Sequence, residues 1–278
     1  MKKILVPIDF SSAARFGLEY AEWLSLRYLN EIIAVHVASP PNYEETLSEA
    51  HIAKFKAQRK EEIENHLKHF STSYPDRDKE ALSGVKNIHC QTRFGETIEE
   101  ILKCGEEEKV DLIVIGTRNK HSMWDHLFGS VTTQLLSKSK IPVLVIPEGT
   151  SLLEIKKVAF ATAITGAEDA ALQYLEKLTK FLGADLLQVF VNMMPYDFFD
   201  NKEEIWKLPH SLMENQSFHM VRDPNVVQGI DYFIHEYNID LLAMMVPRRN
   251  KVEQFFHQSK TKKMAYKTAI PLLIIPTS

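Results

Sequence analysis

Between Ile115 and Val131 the chain reads GTRNKHSMWDHLFGS, with Gly116 at one end and Gly129-Ser130 at the other. An apolar run, Asp111-Leu-Ile-Val-Ile115, precedes it, and an amphipathic stretch from Val131 to Lys138 follows, so it reads as a loop leading from a strand into a helix. Such a loop suits an anion. A helix start offers unpaired N–H groups and the positive end of the helix dipole. Gly116 has no Cβ and leaves room for a ligand against the chain, and Asn119 is one of the few non-glycine types that tolerate positive φ. The Ser130 hydroxyl donates to a phosphate or caps the helix. Glycines in these places are also ordinary turn chemistry, so the loop needs support from elsewhere in the chain.

Other chemistries find less support. No GxxxxGK[ST] sequence marks a P-loop, and no GxSxG elbow marks a hydrolase nucleophile. His121, Asp125 and His126 in HSMWDH are capable metal ligands, but their spacing is not that of an HExxH helix, and a surface loop is the better reading. Cys90 and Cys104 form no CxxC pair, and nothing beside either activates a thiolate. Tyr196, Phe198, Phe199 and Trp206 read as core or as a domain contact before they read as a ligand cleft.

The elements that must position the loop are written twice. Asp111 to Pro147 aligns without a gap with Asp240 to Pro276, and KILVPIDFSSAARFGLEYAEWL from Lys3 aligns with KVAFATAITGAEDAALQYLEKL from Lys157. The second copy has lost material in its middle, where Pro195 to Val221 is rich in aromatics. In the first copy, strands are expected at Ile4–Ile8, Glu31–Val37, Ile88–Arg93, Asp111–Ile115 and Val143–Ile146. Helices fall between them. One is capped by Ser11 or Ser12 and buries Phe16, Tyr20, Trp23 and Leu24; a long charged one spans residues 44–70; others open at Gly95-Glu96-Thr97 and at Gly129-Ser130. Nearly continuous apolar strands separated by helices predict parallel sheets covered on both faces. The expected architecture is two tandem, doubly wound, parallel five-stranded sheets, each a Rossmann-like α/β sandwich, with domains at 1–148 and 154–278.

Composition agrees with a soluble globular chain: 45% of the 278 residues are hydrophobic, 25% are charged, and the formal net charge is −4. That balance gives no support to nucleic-acid binding, no apolar run is long enough to cross a bilayer, and a cytoplasmic location is expected.

The loop and the strand ends together resemble the universal stress protein family. Its nucleotide-binding members carry a glycine, two residues, a glycine, nine residues, then glycine with Ser or Thr. Here Gly116, Thr117-Arg118, Asn119, nine residues and Gly129-Ser130 keep that spacing, with Asn119 in place of the second glycine. VPIDFS after the first strand and AVHV in the second resemble the family's other nucleotide-contacting segments. The resemblance covers both copies and implies an adenine nucleotide, ATP or AMP; its phosphates could bring Mg²⁺ with them, since that ion prefers phosphates and waters to protein cages. It places Pro7 and Asp9 beside the adenosine and the Val37 backbone at the adenine edge. It sets Gly116, Arg118 and Asn119 along the ribose-phosphate path, and Gly129, Ser130, Val131 and Thr132 around the phosphates.

In the second copy Met245, Arg248 and Gln258 stand for Gly116, Asn119 and Gly129, and Ala163 stands for Asp9, so that copy is expected to be dead for nucleotide. Its Arg248, Arg249, Lys251, Lys260, Lys262 and Lys263 read as a solvated basic face. The resemblance implies a stress-response protein in which binding is a regulatory or signalling state rather than catalysis. It further implies an intrachain pseudo-dimer of the two domains, and it leaves homodimerisation of the whole chain open. A non-nucleotide interaction scaffold and a slow ATPase are the rival readings.

Overall fold

The computed structural model describes residues 2–28, 30–39, 49–73, 88–118, 130–152, 154–163, 168–193, 217–246 and 270–276. The chain divides into two compact units, the first holding the strands up to Pro147 and the second those from Lys157 onward.

In the first unit the order is β1 (Lys3–Pro7), α1 (Ser12–Tyr28), β2 (Glu31–Ala38), α2 (Glu49–Thr72), β3 (Ile88–Phe94), α3 (Thr97–Glu107), β4 (Leu112–Thr117), α4 (Ser130–Lys138) and β5 (Val143–Pro147). Every described strand pair is parallel, and the strands lie in the order β3-β2-β1-β4-β5. Ile4, Leu5 and Val6 are wholly buried although they point alternately to the two faces, as a strand covered on both sides must be. The faces are separable from single contacts. Gly105 of α3 lies against Leu5, whereas Gly17 of α1 lies against Gly116, which the register sets on the opposite face with Ile4. The helices therefore cover both sides, and the sheet is doubly wound.

Local chemistry fixes the helix starts. The Ser11 hydroxyl accepts the Ala14 N–H at 3.2 Å, and the Glu96 carboxylate accepts the Glu99 N–H at 2.9 Å. α1 buries Leu18, Tyr20, Ala21, Trp23 and Leu24; Phe16, expected inside, is only half-buried, because the helix turns Gly17 rather than Phe16 to the sheet.

The second unit runs β6 (Lys157–Ala161), α5 (Asp169–Leu182), β7 (Asp185–Asn192), β8 (Phe218–Arg222), α6 (Val226–Tyr237), β9 (Leu241–Val246) and β10 (Leu272–Pro276). Its strands, again parallel in every described pair, lie in the order β10-β9-β6-β7-β8. α5 ends on Gly183 at φ 68, and Asn225 caps α6 by accepting the Val227 N–H at 2.9 Å.

One hydrogen-bond device recurs in both units. The Asp111 carboxylate accepts the backbone N–H groups of Lys2 and Lys3 at 2.6 and 3.1 Å, and that of Asp240 accepts Lys156 and Lys157 at 2.8 and 2.9 Å. An aspartate at the mouth of the fourth strand thus staples the start of the first. Charge-assisted bonds of this kind are stronger than neutral ones.

Candidate functional site

β1 sits mid-sheet, and the chain winds outward from it through β2 to β3 before returning past it to β4 and β5. Connections on either side of the β1–β4 pair leave toward opposite faces, which opens a crevice beyond the carboxyl ends of those two strands. From the Leu5–Ile113 pair the strands run in step to their ends, so the residues after Pro7 and those around Thr117 meet there.

Pro7 is buried and closes β1. Ile8 keeps hold of β2 through its N–H to the Val35 carbonyl at 2.8 Å. Asp9 then emerges exposed, and its carboxylate accepts the Ser11 N–H at 3.0 Å, an Asx turn that leads into α1. Val37, half-buried, is paired with Arg93 near the end of β2. On the other wall, β4 ends with Gly116 and buried Thr117, and Arg118 is exposed beyond them. Ser130, exposed, opens α4, with Val131 half-buried and Thr132 buried behind it. The first N–H groups of any helix lack partners within it, so the start of α4 offers donors. Exposed carboxylate, exposed guanidinium and helix-end amides fit a polar, phosphate-bearing ligand. Asn119 and Gly129 lie outside the described residues. So do His121, Asp125 and His126, the aromatics Tyr196, Phe198, Phe199 and Trp206, and the basic set from Arg248 to Lys263 together with Gln258.

The structure gives Gly116 a reason that differs from the expected one. A Cβ on it would fall 1.7 Å from the Ala13 carbonyl oxygen, and a Cβ on Gly17 would fall 2.6 Å from the Gly116 N. The bare backbone lets the first turns of α1 press onto β4, so the space a Cβ would take is filled by that helix. This gives the glycine a packing purpose and leaves it at the end of β4. In the second unit Ala171 and Met245 hold the aligned places, and α5 begins at Asp169, the position that aligns in sequence with Arg15. Ala163, where the first unit has Asp9, is exposed.

Two residues that sequence reasoning passed over belong to this rim. Phe10 has a left-handed backbone at φ 61, and the His36 ring nitrogen Nδ1 lies 2.7 Å from the Ile8 carbonyl oxygen. Both stand inside the quoted VPIDFS and AVHV segments, but neither residue type announces such a role.

A profile of the universal stress protein family matches residues 1–147. The chain belongs to the universal stress protein family. Universal stress protein MJ0577 of Methanocaldococcus jannaschii is 30% identical over 152 residues, covering 52% of this chain and 94% of that protein. Universal stress protein MJ0531 of the same organism is 28% identical, covering 52% and 81%. The solved structure of a universal stress protein from Archaeoglobus fulgidus covers 99% of this chain and 98% of its own, with a TM-score of 0.66 at 18% identity, a likeness of fold. The sequence relatives thus match about half of this universal stress protein. Among its described residues, no helix is long and apolar enough to cross a membrane, and no three His, Cys, Asp or Glu side chains group as a metal site.

Proposed function

We propose that residues 1–148 of this stress-response protein bind one adenine nucleotide, ATP or AMP, in the crevice between the ends of β1 and β4. Residues 154–278 are a degenerate copy that binds none. The observation that carries the reading is that the Asp9 turn and the Gly116–Arg118 strand end follow adjacent strands at one topological switch point, with α4 starting at Ser130 on the way from β4 to β5. The glycine-loop spacing through Asn119 and Gly129 adds to it. Asp9 and the Val37 backbone hold the adenosine, Arg118 follows the ribose-phosphate path, and Ser130, Val131 and Thr132 meet the phosphates with backbone N–H groups. Magnesium arrives with the phosphates, since it prefers phosphate oxygens and waters to protein cages.

Binding acts as a regulatory or signalling state. A ligand that binds only the folded chain stabilises it by about 2.7 kcal/mol at a hundredfold excess over Kd, so nucleotide level is read out as a change in the stability of the chain. The two copies pack on one another as an intrachain pseudo-dimer through their last strands, which spares each an exposed sheet edge. The location is cytoplasmic, with neither nucleic acid nor membrane as partner.

Calorimetric titration of the nucleotide-free chain with ATP and with AMP tests the reading. One site per chain is expected for at least one of them. Two equivalent sites would contradict the degenerate second copy, and heat signals at the level of dilution for both ligands would remove the nucleotide.

A further inference from the structure

The turn that presents Asp9 contains a bulky residue in a conformation bulky residues avoid. Phe10 has φ 61, in the left-handed region where a Cβ crowds the backbone. Such a residue persists where its surroundings over-determine it, and these cluster at functional sites.

The surroundings of Phe10 are specific. The ring of His66, from α2, lies parallel to it at 4.2 Å with an interplanar angle of 6°. The His36 ring of β2 lies 4.6 Å away, tilted by 39°, and the Phe70 ring meets it edge-on at 5.6 Å. Phe70 is itself held: the Arg15 guanidinium sits 3.8 Å over its ring and donates to its carbonyl oxygen. Nδ1 of His36, besides flanking Phe10, reaches the Ile8 carbonyl at 2.7 Å, on the other side of Asp9. The three residues Ile8, Asp9 and Phe10 are therefore gripped at both ends, by β2 and by α2, while the Asp9 carboxylate between them stays exposed. Offset-stacked and edge-on aromatic pairs are attractive beyond the area they bury, so the grip opposes the strain of the left-handed residue.

We propose that Phe10 is a positioning residue of the crevice: His66 and His36 clamp its ring, and the clamp holds the Asp9 turn in the shape that receives the ligand. His66 takes part through the face of its ring, from an exposed position on α2, and does not contact the nucleotide. The inference rests on the nucleotide reading of the same crevice.

The test uses the full chain and four variants: Phe10→Leu, His66→Ala, His66→Phe and the double variant Phe10→Leu/His66→Ala. ATP affinity is read by calorimetry, and amide exchange at Ser11 and Ala14 by NMR. Phe10→Leu is expected to weaken ATP binding about tenfold and His66→Ala about threefold. His66→Phe, which keeps a flat ring against Phe10, restores the wild-type value. The double variant binds no more weakly than Phe10→Leu alone, because both changes remove one interaction. Ser11 exchanges faster in His66→Ala and at the wild-type rate in His66→Phe. Wild-type affinity in His66→Ala, or equal losses in His66→Ala and His66→Phe, overturns the clamp. A wild-type chain that binds neither ATP nor AMP overturns the nucleotide reading instead, and unchanged Ser11 exchange across the variants overturns the clamp independently of any ligand.

Discussion

At the scale of single residues, Asp9 combines two roles that one substitution separates. Its carboxylate oxygen accepts the Ser11 N–H at 3.0 Å, and the group is exposed toward the crevice. Asp9→Asn keeps an acceptor for the turn and removes the charge. Thermal unfolding should therefore stay within a degree or two of wild type, whereas nucleotide affinity should fall about tenfold, the loss expected when a charged hydrogen-bonding partner is replaced by a neutral one. Unfolding at a much lower temperature would mean that the charge serves the fold. Asp9 as a turn carboxylate and Ser11 as a cap were legible in the sequence because their chemistry is local: each acts within a few residues of itself. Phe10 was not, because its conformation is set by His66 and Phe70, more than fifty residues away and on another element. Gly116 was legible as a glycine that matters and illegible as to why, since Ala13 and Gly17 press on it from a helix a hundred residues earlier.

At the scale of elements, α1 and β4 approach one another backbone to backbone at Gly17 and Gly116. Gly116→Ala would put a methyl carbon 1.7 Å from the Ala13 carbonyl oxygen, and backbone has no rotamer with which to yield. The helix has to move, at a cost of about 2 kcal/mol or more, near the upper end for overpacked sites. Urea unfolding should show a midpoint lowered accordingly with an unchanged slope; an unaltered midpoint would mean that α1 shifts freely on the sheet. The spans of the strands were readable to within a residue or two, because strands buried on both faces are uninterrupted apolar runs and turn residues end them. The long helix was readable less closely: 44–70 was expected and Glu49–Thr72 is observed, with 44–48 outside the described residues. Much of its first half is exposed, so no apolar stripe marks where it begins.

At the scale of the whole molecule, the repeat was visible in the sequence and reappears in the same order of parallel strands within each unit and in the paired staples of Asp111 and Asp240. In each unit the last strand, β5 or β10, stands at the end of that unit's own order. The proposed pseudo-dimer makes these the surfaces that meet. Small-angle scattering of the monomeric chain should then give the radius of gyration of one compact body of 278 residues, about 19 Å, rather than that of two bodies on a tether. A distance distribution with two separated maxima would refute it.

The central place of β1 has a consequence for how the protein is made. β1 can pair with β2 soon after both leave the ribosome, but its other edge waits for Leu112–Thr117, more than a hundred residues later. Contacts so distant along the chain are slow to close. Until β4 is synthesised there is a half-sheet with one open flank and only one wall of the crevice. On the proposed reading a nucleotide therefore has nothing to bind until β4 and the helix after it have been made, and cannot help the earlier strands to pair. The proposed nucleotide would act on the finished first unit, whereas any chaperone that shields the open flank of β1 acts during synthesis.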